Sequence, residues 1–272
     1  MQSLLIAVVL GVVEGLTEYL PVSSTGHLIL TGHLLGLEGL KAAHFEIFIQ
    51  LGAVLAVAWE YRATLAMSLR GLAAPGLEGG RSRRFAGGLL AAFLPAAVAG
   101  LVLHGWIEEH LFSPWAVAAG LIAGALAMLA MEWWLHGRPA PSRDDSRSLP
   151  LALAFGIGCA QVLSLYPGVS RSAATIMGGL AGGLSRRAAT EFSFFLALPT
   201  LGAASFYSLY KASGMLSKSD ATAFAVGLVV SFAVALVVIR VFLAWVRSHD
   251  FRPFAWYRIA LGIAVLLILG RS

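Results

Sequence analysis

Apolar runs of two different lengths alternate along this chain, and they predict its helices. Six runs are long enough to cross a membrane as α-helices. They lie at about 41–62, 85–106, 115–136, 187–210, 221–246 and 255–270. Two further regions, 2–37 and 151–184, are apolar but are broken near the middle by proline and hydroxyl residues. Since a helix of about ten residues covers only ~15 Å of a ~30 Å hydrocarbon core, these regions predict two re-entrant helical hairpins.

The order of these elements repeats in the second half of the chain. Glu14 and Gln161 each stand three residues after a glycine, and a proline and a hydroxyl cluster follow both. Farther along, Glu46 corresponds to Glu191, and the offset changes only from 147 to 145 residues. Three spans in each half give the halves opposite orientations, so a site is expected at their interface near the bilayer midplane. The prediction is one membrane domain, 1–272, composed of two inverted-topology repeats, 1–136 and 151–272.

Composition supports an all-α polytopic membrane protein. Hydrophobic residues make up 58% of the chain and charged residues 12%, and the mean hydropathy is +0.82. A soluble domain carries about twice that share of charge. The net charge of +5 does not indicate nucleic-acid binding, because the basic residues fall between apolar runs and act better as topology signals. Cys159 is the single cysteine, which excludes an internal disulfide.

The basic residues predict the orientation of the chain. Fourteen arginines fall on one side of the six-span arrangement and four basic residues fall on the other, so the first side is expected to be cytoplasmic. Both termini are then extracytoplasmic, and the two hairpins enter from opposite faces so that their tips can meet. Residues 75–84 and 137–148 are expected to be cytoplasmic loops. The fourteen are Arg62, Arg70, Arg81, Arg83, Arg84, Arg138, Arg143, Arg147, Arg186, Arg187, Arg240, Arg247, Arg252 and Arg258. The other four are Lys41, Lys211, Lys218 and Arg271.

The break in the second hairpin carries the most informative stretch, PGVSRSAAT at 167–175. It places Arg171 among Ser170, Ser172 and Thr175, deep in an apolar region where an arginine needs an anionic partner or a water-filled cavity. Ser170 or Ser172 can cap a new helix whose first amides point at an anion. Arg171 adds a planar bidentate fork. The stretch favours a phosphate or pyrophosphate cradle, and a structural arginine paired with a glutamate is the alternative.

The first hairpin carries a pair of acidic residues before its break. Glu14 and Glu18 are four residues apart and therefore share a helix face. Two carboxylates in apolar surroundings favour a bound cation, a shared proton or a partner such as Arg171.

A hydroxyl cluster follows Pro21 and begins the second arm of this hairpin. Ser24 supplies a nucleophile and His27 a base, while Ser23 is the expected helix cap.

Taken together, the motifs resemble the undecaprenyl pyrophosphate phosphatase family, also called the bacitracin-resistance family. The resemblance rests on EGLTE at 14–18, PVSSTGH at 21–27 and PGVSRSAAT at 167–175, and it covers essentially the whole chain. It implies removal of one phosphate from undecaprenyl pyrophosphate, which yields the lipid carrier for peptidoglycan and other envelope polymers. It also implies a bacterial inner membrane, an active site open to the periplasm, dependence on a divalent cation (Mg²⁺ or Ca²⁺) and a homodimer.

The resemblance, read with the patterns above, gives a set of candidate site residues. The catalytic candidates are Ser24, His27, Glu18, Glu14 and Arg171. The phosphate-binding candidates are Ser170, Arg171, Ser172 and Thr175. Glu14 and Glu18 are the candidate metal ligands. The expected mechanism is attack by Ser24 on the terminal phosphorus, with His27 or Glu18 managing its proton. Direct attack by water, activated by His27 or Glu18, is its rival.

A transporter or flippase of polyprenyl phosphate is the leading alternative function. Inverted repeats with broken helices are a transporter architecture, and paired carboxylates can carry protons. A structural scaffold fits the buried charges poorly. The expected partners are a polyprenyl pyrophosphate lipid and the bilayer, without nucleic acid.

Overall fold

Helices account for nearly all of the regular structure. The computed structural model describes the backbone of residues 2–37, 40–111, 113–138, 141, 143–212 and 218–270, and no strand occurs in that part. The α-helices are α1 (Gln2–Thr17), α2 (Ser24–Leu34), α3 (Leu40–Glu60), α4 (Arg62–Gly71), α5 (Gly76–His110), α6 (Pro114–Leu135), α7 (Leu151–Val162), α8 (Arg171–Ala181), α9 (Arg186–Ala212), α10 (Lys218–Trp245) and α11 (Arg252–Leu269). A 3₁₀ turn, Leu163–Leu165, follows α7.

Four of the described helices are long and apolar enough to cross a membrane. They contain Gly76–Leu103, Pro114–Leu135, Ala221–Trp245 and Arg252–Leu269, within α5, α6, α10 and α11. The apolar helices Leu4–Thr17 and Leu151–Leu165 are shorter. Length and composition therefore support a multi-pass membrane protein. The helices α3 and α9 cover two of the six predicted spans but are not among these four.

The prediction of a loop at 75–84 was wrong. This polar stretch is the first part of α5, and the short helix α4 precedes it. The Arg83 guanidinium donates 3.1 Å hydrogen bonds to the carbonyls of Leu72 and Ala74, which fixes the turn between α4 and α5. A helix that leaves the membrane can continue as a polar helix, so a change in polarity alone does not mark its end.

The first arm of each broken hairpin packs against a long helix of the other half. Helix α1 lies along α10, and α7 lies along α5. Glycines permit both approaches: Gly11 of α1 faces the Gly227 carbonyl, and Gly158 of α7 faces backbone atoms of Ala92. Gly11 and Gly158 are 147 residues apart, the offset that relates Glu14 to Gln161 in the sequence. The halves therefore interlock through equivalent close contacts.

The second arms, α2 and α8, also correspond. Each has eleven residues, and their first residues, Ser24 and Arg171, are 147 positions apart. The residues directly before them, Ser23 and Ser170, are the two described non-glycine residues with positive φ, at 72° and 73°. Such a conformation is strained for a serine, so the surrounding contacts must hold both breaks in the same sharp turn.

The structure corrects the place of one arginine in the topology argument. Arg258 was counted among the cytoplasmic basic residues around the fifth loop, although the predicted span 255–270 contains it. It lies in α11 and is fully buried, so it is not a topology signal. Its guanidinium reaches the carbonyls at both hairpin breaks, as described below. The side chains of the four basic residues on the opposite side, Lys41, Lys211, Lys218 and Arg271, lie outside the described part of the structure.

Candidate active site

The two hairpin breaks meet, and the candidate residues gather around the Glu18 carboxylate. Glu18 follows the last residue of α1 and is 5% exposed. One of its oxygens, Oε2, accepts a 2.6 Å hydrogen bond from Ser24 Oγ and a 3.4 Å bond from Gln50 Nε2. The other oxygen, Oε1, accepts a 3.0 Å bond from the Arg171 guanidinium. A single carboxylate thus joins the candidate nucleophile to the candidate phosphate-binding arginine.

Arg171 is held from two sides. Its Nη1 donates to the Ser193 carbonyl at 2.9 Å and lies 3.3 Å from Ser193 Oγ, while Nη2 is paired with Glu18. The guanidinium also lies 5.8 Å from the centre of the buried Tyr19 ring. Its Nε is buried and has no hydrogen-bond partner among the described residues. A buried donor without a partner is costly, so this Nε is suited to a ligand oxygen.

The hydroxyls that follow the second break bind protein groups. Ser170 Oγ accepts from the Ala173 amide at 3.2 Å, so Ser170 caps α8. Ser172 Oγ donates to the Leu20 carbonyl at 2.9 Å and lies 3.0 Å from Ser170 Oγ. Because a carbonyl can only accept, the Ser172 proton points to Leu20 and Ser170 donates to Ser172. These hydroxyls link the two breaks.

Thr175, the last phosphate-binding candidate, lies one turn farther into α8. It is 1% exposed, and its Oγ1 is 2.7 Å from Ser193 Oγ. The same Oγ1 lies 2.9 Å from the Arg171 carbonyl and 3.2 Å from the Ser172 carbonyl. Thr175 therefore contacts the serine that holds Arg171, which suits a positioning role.

The expectation that Ser23 caps α2 was wrong. Ser23 occupies the N-cap position, but its side chain makes no capping hydrogen bond to an amide of α2. Its φ of 72° differs from the extended backbone that a capping serine normally adopts. The first amides of α2, beside Ser24, therefore lack a capping side chain. In α8, by contrast, the Ser170 side chain caps one of the corresponding amides. Such amides favour an anion at the start of a helix.

His27 lies one turn after Ser24 but contacts other groups. Its Nδ1 is 2.7 Å from the Ser23 carbonyl, and its Nε2 is 2.7 Å from the Tyr257 hydroxyl. Since the carbonyl accepts, Nδ1 carries the proton and Nε2 accepts from Tyr257 in the neutral ring. The two rings stack, with centroids 5.6 Å apart. The group that contacts Ser24 Oγ directly is Glu18.

Glu14 is the carboxylate of the candidate site that receives no hydrogen bond from the described residues. Its side chain is fully buried, and neither oxygen has a hydrogen-bond partner among the described residues. Within the described residues, no group of three or more His, Cys, Asp or Glu side chains could hold a metal. The oxygens of Glu18 are already engaged, so Glu14 is the better candidate ligand. Mg²⁺ commonly takes one or two carboxylates and completes its shell with phosphate oxygens and water, and Glu14 fits that arrangement.

Arg258 donates hydrogen bonds to backbone carbonyls at both breaks. Its Nη2 donates to the Val169 and Gly168 carbonyls at 2.8 Å and 3.0 Å, and its Nη1 reaches the Pro21 carbonyl at 3.4 Å. Gly124 of α6 makes room for this guanidinium, because a Cβ at that position would collide with it. The arginine thus supplies donors to carbonyls that the breaks leave outside a helix.

Sequence reasoning missed three residues that contact the candidates, and it missed the role of Arg258 at the breaks. Gln50 and Ser193 lie inside apolar helices without any motif around them, and only the folded structure brings them to Glu18 and Arg171. Tyr257 lies in the predicted last span without a role of its own. Arg258 was counted with the basic residues around a loop. A usable signal existed for Arg258, since an arginine inside an apolar run indicates a buried role.

These features define a multi-pass helical membrane protein in which the candidate site residues gather where two broken helical regions meet. The chain belongs to the family described as bacitracin resistance protein BacA, whose model matches residues 7–264. It is similar to an undecaprenyl-diphosphatase of Methylobacillus flagellatus, with 50% identity over 97% of both chains. It is also similar to proteins of that name from Ectopseudomonas mendocina (51% identity, 96% of this chain and 92% of the relative) and Thermoanaerobacter pseudethanolicus (48%, 100% and 99%).

Proposed function

We propose that this protein is a membrane phosphatase that hydrolyses undecaprenyl pyrophosphate to undecaprenyl phosphate and inorganic phosphate. Relatives that match nearly the full chain at about half identity carry the name of that enzyme. Membership of the bacitracin resistance family fits the recycling of this lipid carrier. The observation that carries the proposal is the Glu18 carboxylate, which contacts Ser24 and Arg171 at once. The comparisons do not favour the alternative, a transporter or flippase.

In this proposal Ser24 is the nucleophile. Its Oγ forms a bond to the terminal phosphorus while the bond from that phosphorus to the bridging oxygen breaks, and undecaprenyl phosphate leaves. The proton of Ser24 passes to Glu18, because the 2.6 Å hydrogen bond already aligns them. Water then hydrolyses the phosphoserine and restores the enzyme. Direct attack by water, with Glu18 as the base, is the rival that the experiments below separate.

Arg171 and the start of α2 hold the phosphates in this proposal. The unpartnered Nε of Arg171 offers a donor, and the adjacent Nη2 can exchange Glu18 for a phosphate oxygen once Glu18 is protonated. Release of Nη2 and protonation of Glu18 therefore favour each other. Ser170, Ser172 and Thr175 hold the break and the arginine in place, which limits reorganisation during the reaction.

Charge balance supports the proposed divalent cation. Glu14 and Glu18 face a single neighbouring arginine in the cluster, and a pyrophosphate adds further negative charge. A Mg²⁺ or Ca²⁺ ion held by Glu14, with Glu18 nearby, would offset this repulsion and polarise the phosphate. Glu14 is suited to this role because its two buried oxygens have no donor within the described residues.

The finer topology also belongs to the proposal. Helix α1 has 16 residues, about 24 Å, and falls short of a ~30 Å core, which supports a re-entrant hairpin formed by α1 and α2. The interlocked packing of α1 with α10 and of α7 with α5 supports two inverted repeats, and α3 and α9 complete six spans. We place the protein in the bacterial inner membrane with the site open to the periplasm. A homodimer follows from the family resemblance, and light scattering in detergent tests it.

Phosphate release by the pure protein in detergent tests the proposed function. Hydrolysis needs no second compartment, whereas transport does, so a detergent assay separates the two. We expect release of one phosphate from each undecaprenyl pyrophosphate, and a fall in rate when a chelator is added. Absence of release with and without added Mg²⁺ or Ca²⁺, from protein that is folded and monodisperse, would contradict the proposal.

A further inference from the structure

A second cluster of charged residues lies away from the hairpin breaks, at the N-terminal end of α5. A cavity of about 470 Å³ opens there between α4, the first turns of α5 and the segment before α7. Three arginines from these three elements line it, namely Arg70, Arg81 and Arg147. The volume falls within the range of small-ligand sites. None of the lining residues belongs to α1, α2 or α8, so the cavity is separate from the Glu18 cluster.

The cavity keeps positive charge after its ion pairs are counted. Arg81 is paired with Asp145, and the Asp145 carboxylate also accepts from the Arg147 amide at 3.0 Å and lies 3.9 Å from Arg147 Nε. The three arginines of the lining therefore share two carboxylates, those of Asp145 and Glu78. Partial burial acts to raise the pKa of Asp145, but the hydrogen bonds from Arg147 and Arg81 outweigh it and hold that pKa below its usual range. Glu78 is the one acidic residue in the lining. Arg70 has no ion pair or hydrogen bond to another side chain within the described residues, so its guanidinium can bind an anion.

Exposed apolar side chains flank this basic cavity. Leu77, at the start of α5, is 94% exposed, and Met67 and Leu69 of α4 are 59% and 68% exposed. The candidate span Gly76–Leu103 includes this part of α5. A basic cavity with an apolar flank at the end of a span matches the boundary between lipid tails and headgroups.

The cavity is also preformed. Arg83 fixes the turn between α4 and α5 through the Leu72 and Ala74 carbonyls. Gly71 lies directly against Ser82, where any larger side chain would collide, so α4 packs closely on α5. The guanidiniums are therefore presented on a rigid frame, which lowers the entropic cost of binding.

We propose that this cavity binds the phosphate of an anionic phospholipid from the surrounding leaflet. The headgroup phosphate lies between Arg70 and Arg147, and the acyl chains lie against Leu77 and Met67. The apolar flank is the reason to assign a lipid, since a free phosphate has no use for it. Arg81 remains with Asp145 and completes the wall of the site.

Native mass spectrometry of the detergent-purified protein, titrated with short-chain phosphatidylglycerol, tests this site. We expect the Arg70→Gln variant to raise the dissociation constant about fivefold, and the Arg70→Gln/Arg147→Gln double variant to raise it further. Arg84→Gln is the matched control, because Arg84 is an exposed arginine of the neighbouring helix α5 that does not line the cavity. It should bind the lipid as the unmodified protein does. Thermal midpoints within a few degrees of each other would show that all variants are folded.

Two further probes identify the ligand. Phosphatidylcholine, whose choline offsets the charge of its phosphate, should bind more weakly than phosphatidylglycerol and should lose less affinity in the arginine variants. Leu77→Ser should weaken the binding of phosphatidylglycerol but leave the binding of inorganic phosphate unchanged. Equal lipid affinity in the Arg70→Gln/Arg147→Gln variant and the Arg84→Gln control would overturn the site. Inorganic phosphate that binds as tightly as the lipid, with no effect of Leu77→Ser on lipid binding, would overturn the assignment to a phospholipid.

Discussion

Ser24 Oγ lies 2.6 Å from Glu18 Oε2, across the break that separates α1 from α2. The sharp turn at Ser23 brings these residues together although six positions separate them. Arg171 from the other half pairs with the second oxygen of Glu18, so Ser24 and Arg171 contact the same carboxylate. The two breaks therefore contribute to one candidate site.

The shape of the Arg171 guanidinium matters as well as its charge. Arg171→Lys keeps the cation but loses the contacts to Ser193 and the free Nε, so turnover should fall by about a hundredfold or more. Initial rates of phosphate release measure the effect. Arg187→Lys is the matched control, since Arg187 forms an exposed ion pair with Glu191 on α9. Its turnover should stay near normal, and a similar fall in both variants would remove the special role of Arg171.

Glu14 and Glu18 should respond differently to removal of their charge. Glu14→Gln should raise the Mg²⁺ or Ca²⁺ concentration needed for half-maximal activity by about tenfold or more, because it deletes the carboxylate with free oxygens. Glu18→Gln should abolish turnover at every metal concentration, because it deletes the base for Ser24. Metal titrations of phosphate release distinguish the two. Unchanged metal dependence in Glu14→Gln would show that the cation, if used, binds elsewhere.

Gly124 should tolerate no side chain, because Arg258 fills the space beside it. Gly124→Ala should displace the guanidinium from the Val169 and Gly168 carbonyls and cost about 1–3 kcal/mol of stability. Turnover should fall too, since the breaks lose their brace. Gly156→Ala is the control, since no atom lies within 4 Å of a Cβ there. The midpoint of thermal unfolding in detergent should be lower for Gly124→Ala than for Gly156→Ala. Equal midpoints would contradict the stabilising role of Arg258.

The orientation can be tested by cysteine labelling after Cys159 has been replaced. Leu34 at the end of α2 and Ser248 after α10 are both exposed, and the proposed topology puts them on opposite sides. Leu34→Cys should react with a membrane-impermeant reagent in intact cells, whereas Ser248→Cys should react only after lysis. The reverse labelling pattern would invert the proposed topology.

The helices were largely predictable because hydrophobic length sets them. Each predicted span overlaps one observed helix, and both broken regions contain two short helices. The failure at 75–84 has a physical cause, since α5 continues beyond its apolar segment as a polar helix braced by Arg83. The candidates Ser24, Glu18 and Arg171 stand in motifs that the sequence displays. Their contacts to one another depend on tertiary packing, which the motifs do not encode by themselves.

The supporting residues were harder to predict because nothing local marks them. Ser193 and Gln50 look like ordinary polar residues of buried helices until the fold brings them to Arg171 and Glu18. Arg258 was counted as a topology signal because it lies near the start of the last apolar run, where the membrane boundary is expected. Ser23 was predicted to cap α2 because a serine at the N-cap position usually does so. Its positive φ gives the backbone a different direction there, and the side chain makes no capping hydrogen bond.

The rate of phosphate release by Ser24→Ala tests the central claim most directly. The variant should fold, since it loses one buried hydroxyl, and it should bind undecaprenyl pyrophosphate within about tenfold of the unmodified affinity because Arg171 remains. Ser164→Ala is the control, since the Ser164 hydroxyl contacts only the Gln161 carbonyl in the described part of the second hairpin. We expect release by Ser24→Ala to fall by at least about a thousandfold at saturating substrate, with Ser164→Ala near normal. Substantial hydrolysis by the folded Ser24→Ala variant would contradict nucleophilic attack by Ser24 and favour water activated by Glu18.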